Sequence, residues 1–103
     1  MALRNLEKEI DLVLRHIRVL GVLRERGPMG IRRISDETGI PNHQVRYSLR
    51  VLEKADALAP TSRGAKLTDG VDEYVKELAN KMKELDGRLS EIVDLTQSMA
   101  ASD

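Results

Sequence analysis

The stretch Ile31-Arg32-Arg33-Ile34-Ser35-Asp36-Glu37-Thr38-Gly39-Ile40-Pro41-Asn42-His43-Gln44-Val45-Arg46-Tyr47-Ser48-Leu49-Arg50-Val51-Leu52 holds two short helical patterns back to back. Ile31 and Ile34 form one inward edge, so a short helix is expected over about Ile31–Thr38. Gly39 stands where a helix C-terminus needs positive φ, and Ile40-Pro41 makes a tight connection. Pro41 suits the first turn of a new helix, and Asn42 suits its cap; the residues allow either register. The second pattern runs from about Asn42 to Ala55. At 100° per residue, Val45, Leu49 and Leu52 share one side, with Ser48 and Ala55 beside them. His43, Arg46, Tyr47, Arg50 and Lys54 share the other, which is basic and aromatic with no acid in its middle.

Working outward, the preceding segment repeats Leu3, Leu6, Ile10, Val13, Ile17, Leu20 and Leu23 at a helical period. Leu14, Val19 and Val22 fill a second face, as expected of a helix enclosed by neighbours. It stops at the breaker Gly27-Pro28-Met29-Gly30. After the second pattern, Ala57-Leu58-Ala59-Pro60 and Ala65-Lys66-Leu67-Thr68 flank the polar turn Thr61-Ser62-Arg63-Gly64, which reads as a β-hairpin. Pro60 implies a strand edge or end.

From Asp69 to about Met99 the apolar positions are Val71, Val75, Leu78, Met82, Leu85, Leu89, Ile92 and Met99, with Thr96 in the same series. Their spacings alternate 4 and 3, a heptad seam of the kind that pairs helices. Thr68 or Asp69 is the expected cap. A break at Asp86-Gly87-Arg88 is the competing reading. The seam implies a homodimer; a last helix folded back on Leu3–Leu23 is the monomeric alternative. Lys81 and Asp86 would attract between parallel helices, one pair being too few to choose an orientation.

The order helix, helix, tight turn, helix, hairpin resembles the winged helix-turn-helix domain. Ile31 to Ile40, then Val45, Leu49, Leu52-Glu53 and Leu58, and the closing Gly64-Ala65-Lys66-Leu67-Thr68 carry the resemblance, over roughly Leu12 to Thr68. Three places depart from it. Pro41 stands where Ser or Thr is commoner, Ala65 and Lys66 where an aromatic often sits, and Asp56-Ala57 where glycine usually follows the third helix. The closing helix is similar to that of small archaeal winged-helix regulators with a terminal coiled coil. The implied fold is mainly α with a small β-hairpin: a winged helix-turn-helix over 1–68, then a coiled-coil dimerisation helix over 69–103.

What the resemblance implies is a cytoplasmic transcription regulator that binds duplex DNA as a homodimer. Its recognition helix, about 42–55, would enter the major groove. Arg46 and Arg50, four apart, suit bidentate bonds to guanine or phosphate. Asn42 and His43 sit near the helix start, and Gln44 reaches adenine if the helix is rotated. Tyr47 meets phosphate or sugar, or else covers an apolar edge near Val51. Lys54, Arg32 and Arg33 suit backbone contact, as do Ser62, Arg63 and Lys66 in the wing. A winged-helix protein-interaction module and a sequence-independent architectural DNA-binding protein are the alternatives.

Composition bounds these readings. Without Cys there is no disulfide scaffold or thiolate metal site. With two His, His16 and His43, no histidine-rich metal site is expected, and no cofactor or small-molecule ligand is evident. His16, on a mostly apolar helix, reads as a packed or rim residue. No phosphate-binding loop motif occurs and no catalytic constellation is visible, so an enzyme is not expected. The N-terminus lacks a signal peptide's apolar stretch, and no apolar run suits a membrane helix. The 17 basic and 17 acidic residues cancel overall. They do not cancel locally: residues 1–68 carry 13 basic and 8 acidic side chains, and residues 69–103 carry 4 and 9. The basic part coincides with the expected DNA-binding part.

Overall fold

A computed structural model describes residues 1–102. The chain is mainly helical: α1 (Arg4–Arg26), α2 (Ile31–Thr38), α3 (Asn42–Lys54), β1 (Leu58–Thr61), β2 (Gly64–Leu67) and α4 (Val71–Ala101). It divides into two compact units, Met1–Asp72 and Glu73–Asp103.

In the first unit the periodic Leu, Ile and Val residues do what their spacing requires. Val19, Leu20 and Leu23 of α1, Ile34 of α2, and Val45, Leu49 and Leu52 of α3 are buried together with Ile40, Met29, Leu58 and Val71. The core is aliphatic because the chain has no Phe or Trp to fill it. Burying one such side chain stabilises the fold by about 1.5–3 kcal/mol.

The connections are made by identifiable bonds. Gly27 ends α1 at φ 83°, its N–H donating to Leu23 O at 2.9 Å. Gly39 ends α2 at φ 77°, donating to Ser35 O. Ser35 Oγ donates to Ile40 O at 2.6 Å, and Thr38 Oγ1 accepts from the Ile40 N–H, so the tight turn is tied on both sides. Pro41 stands just outside α3, with extended ψ of 147°, and Asn42 is the first helical residue. Neither register expected from the residues is adopted. The Pro41 carbonyl accepts from Gln44 and Val45 N–H, and a residue at that position needs no N–H of its own.

Ala55, expected on the inner side of α3, is exposed, because the helix ends at Lys54 and Ala55 caps it. Asp56 then takes φ 60°, the left-handed conformation where glycine is usual. Ala57 N–H donates to Leu52 O and Asp56 N–H to Glu53 O, the paired bonds of a Schellman ending. Asp tolerates this conformation at a cost of about 1 kcal/mol.

The hairpin is antiparallel, pairing Leu58 with Leu67, Ala59 with Lys66, Pro60 with Ala65 and Thr61 with Gly64 around the two-residue turn Ser62-Arg63. Two four-residue strands are marginal alone. A third element supports them: Met29, inside the breaker between α1 and α2, bridges Ala65 through two backbone bonds of 2.9 and 3.2 Å. Gly64, at φ 107°, lies under that bridge; a Cβ there would stand 2.3 Å from the Met29 carbonyl carbon.

α4 starts at Val71, later than a cap at Thr68 or Asp69 would place it. Thr68 is occupied otherwise: its hydroxyl donates to Asp56 O and accepts from Gly70 N–H. Val71 is buried within the first unit, and the seam that remains open begins at Val75. The second unit is one unbroken helix. Gly87 lies inside it and no turn forms at Asp86-Gly87-Arg88. Glu84 holds Lys81 at 3.3 Å and Arg88 at 2.7 Å across this region, which offsets part of the glycine's cost. At 31 residues, α4 is about 46 Å long.

Candidate nucleic-acid interface

The outer face of α3 is set by its inner face. With Val45, Leu49 and Leu52 committed to the core, Asn42, His43, Arg46, Tyr47, Arg50 and Lys54 are left exposed, and Gln44 half-buried. His43, Gln44, Arg46, Tyr47 and Arg50 line one open depression of about 450 Å³. Arg15 of α1 completes its rim, a residue that the sequence reading did not single out. Its signal was a lone charge in the apolar run around Leu14 and Ile17, but only the packing of α1 on α3 shows which way it faces.

The other expected contact residues lie outside that depression. Arg32 and Arg33 are exposed on the first turn of α2, Ser62 and Arg63 at the hairpin turn, and Lys66 on β2. Asn42 is the first residue of α3 and Lys54 its last. Among the described residues, ion pairs engage Arg24, Arg26, Lys81 and Arg88. None engages Arg15, Arg32, Arg33, Arg46, Arg50, Lys54, Arg63 or Lys66. The charge of this face is unneutralised, as an anion-binding surface requires.

Beneath the face lies a polar contact. His16 of α1 is buried, and its Nδ1 is 2.8 Å from Ser48 Oγ of α3. The imidazole also faces Tyr47, ring centroids 6.3 Å apart, so Tyr47 leans on His16 and leaves about half its surface open. Ser48 is fully buried, so this Ser–His pair offers no nucleophile to a substrate and acts as a pin between α1 and α3. Burial, with Arg15 as a second cause, holds the His16 pKa below its ordinary 6.5. The unfolded chain therefore takes up a proton first on acidification. The stability carried by the neutral ring is complete above about pH 6.5 and is lost as the pH falls through the folded value. Urea denaturation of the protein and of His16→Gln between about pH 7.5 and 5 checks this. The difference in unfolding free energy between the two should shrink on acidification; a constant difference would contradict it.

No family model and no curated protein matches this chain. The functional reading rests on its own geometry. Among the described residues, no helix is long and apolar enough to cross a membrane, and no group of three His, Asp or Glu could hold a metal ion.

Proposed function

We propose that the chain is a winged helix-turn-helix regulator that binds duplex DNA as a homodimer, with α3 in the major groove and the β1–β2 hairpin as its wing. The observation that carries this reading is the unpaired basic face of α3: Arg46 and Arg50 with His43, Gln44 and Tyr47 around one open depression. The element order supports it, α2 and α3 being joined by the Gly39–Pro41 turn and followed at once by a hairpin with Arg63 at its tip. In this reading Arg46 and Arg50 meet base edges, Gln44 and His43 flank them, and Tyr47 and Arg15 meet the sugar–phosphate backbone. Arg32, Arg33, Lys54, Arg63 and Lys66 hold phosphates. The open seam from Val75 to Met99 joins two copies, matching a two-fold operator.

Fluorescence anisotropy of labelled duplexes across a salt series tests the proposal. Four or five phosphate contacts per head predict a slope of log K against log salt of about −4 or steeper. Duplexes recovered by in vitro selection should bind more tightly than random ones of the same length. Equal affinity would mean architectural coating, and no binding at low salt would sink the proposal.

A further inference from the structure

Apart from Tyr47, every large exposed apolar side chain among the described residues lies on one of two faces. One is the N-terminal part of α1 and the residues before it, where Leu3, Leu6, Ile10 and Leu14 are each 45–49 % exposed. The other is α4, most of all its tail. Over Lys81 to Arg88 the heptad seam is flanked by charge. Beyond Leu89 the flanks themselves turn apolar: Val93 and Leu95 join Ile92 and Met99, all of them 49–73 % exposed. A two-helix seam needs only its two central positions apolar. Apolar flanks call for another helix.

The lengths of the two faces match. Leu3 to Leu14 spans about 16 Å and Leu89 to Met99 about 15 Å of helix. Their reach from the core differs. The α1 stripe lies between about 8 and 24 Å along its helix from buried Val19. Because α4 does not break at Gly87, its tail lies between about 27 and 42 Å from buried Val71. The α1 of the same chain is thus too short to cover the tail. An antiparallel pair of α4 helices centred near Asp86 removes the mismatch, because it sets the tail of one copy within about 20 Å of its partner's core, inside the reach of that partner's α1.

We infer that two copies pair through antiparallel α4 helices, and that the Leu3–Leu14 stripe of each seats on the widened tail of the other. The inference rests on the homodimer of the preceding section and specifies its interface. Antiparallel pairing places like charges at flanking positions, but those are few, and Glu84 of the same helix engages both Lys81 and Arg88. The parallel alternative offers one exposed pair between Lys81 and Asp86, which is weaker than covering the two apolar faces.

The protein has no cysteine, so disulfide trapping reads this contact on a clean background. Leu6→Cys is mixed with Val93→Cys or Leu95→Cys, the partners carrying different tags, and oxidised mildly after circular dichroism confirms native helix content. A covalent dimer holding both tags is expected with at least one of the two tail positions, and none with Lys8→Cys, which lies on the opposite side of α1. The chain carrying both Leu6→Cys and Leu95→Cys should give a covalent dimer. An internally bridged monomer would overturn the inference. Sedimentation equilibrium of the unsubstituted protein separates the two levels. A dimer without cross-links refutes this contact and leaves the homodimer standing, whereas a monomer refutes both.

Discussion

Replacing Arg46 and Arg50 together by alanine should weaken duplex binding by at least about 30-fold at fixed salt, since each bidentate base contact is worth about 1–3 kcal/mol. Both guanidinium groups are exposed on α3, line the same depression and lack an ion-pair partner. Their removal leaves Val45, Leu49 and Leu52 in place, so the thermal midpoint should hardly move. Anisotropy at one salt concentration gives the loss, and competition with random duplex shows its nature. If the arginines read bases, discrimination against random duplex falls with affinity. If they hold only phosphates, affinity falls uniformly and the salt slope shallows by about two contacts. Unchanged affinity would remove α3 from the interface. Arg15→Ala should have a smaller effect of the phosphate kind.

The second large effect is on stability. Gly64→Ala should destabilise the first unit by roughly 3 kcal/mol or more, a large share of the 5–15 kcal/mol typical of a domain. Two costs combine. The added Cβ would lie 2.3 Å from the Met29 carbonyl carbon and 2.4 Å from its oxygen, both backbone atoms that cannot rotate away. Gly64 also holds φ 107°, which an L side chain rarely adopts. Relief requires breaking the Met29–Ala65 bridge and releasing the hairpin from the α1–α2 connection. Urea denaturation measures the loss, and amide exchange at Met29 and Ala65 shows whether the bridge has opened. An unchanged midpoint would mean that the hairpin does not need the bridge.

The parts of this fold legible in the sequence are those governed by local rules. The bounds of α2, the left-handed Gly39 and the two-residue hairpin turn all follow from residues adjacent in the chain. So does the inner face of α3, because periodicity reports which side of a helix is buried. The rest depends on contacts between distant segments. Met29 looks like part of a breaker, and its strand-like bridge exists only because Ala65 folds beside it. Arg15 joins the α3 face only through the packing of α1 on α3, which pins His16 to Ser48. Asp56 hides its left-handed turn because nothing in an Asp-Ala pair announces a Schellman ending. The start of α4 shifts to Val71 because Thr68, a good cap by type, is taken by Asp56 and Gly70. Val71 shows the same limit from the other side: heptad spacing counts it in the seam, while burial assigns it to the core.

The distribution of ion pairs has a practical consequence for ionic strength. The fold rests on an aliphatic core, and the pairs it does make, such as Arg24–Asp72, involve side chains largely open to solvent. Such pairs contribute about 0–1 kcal/mol, so added salt should leave the unfolding midpoint nearly where it was. The cations of the α3 face have no partner within the chain to lose. Electrolyte therefore acts on this molecule almost entirely at its outer surface, and a loss of complex at high salt can be read as competition by ions rather than as unfolding.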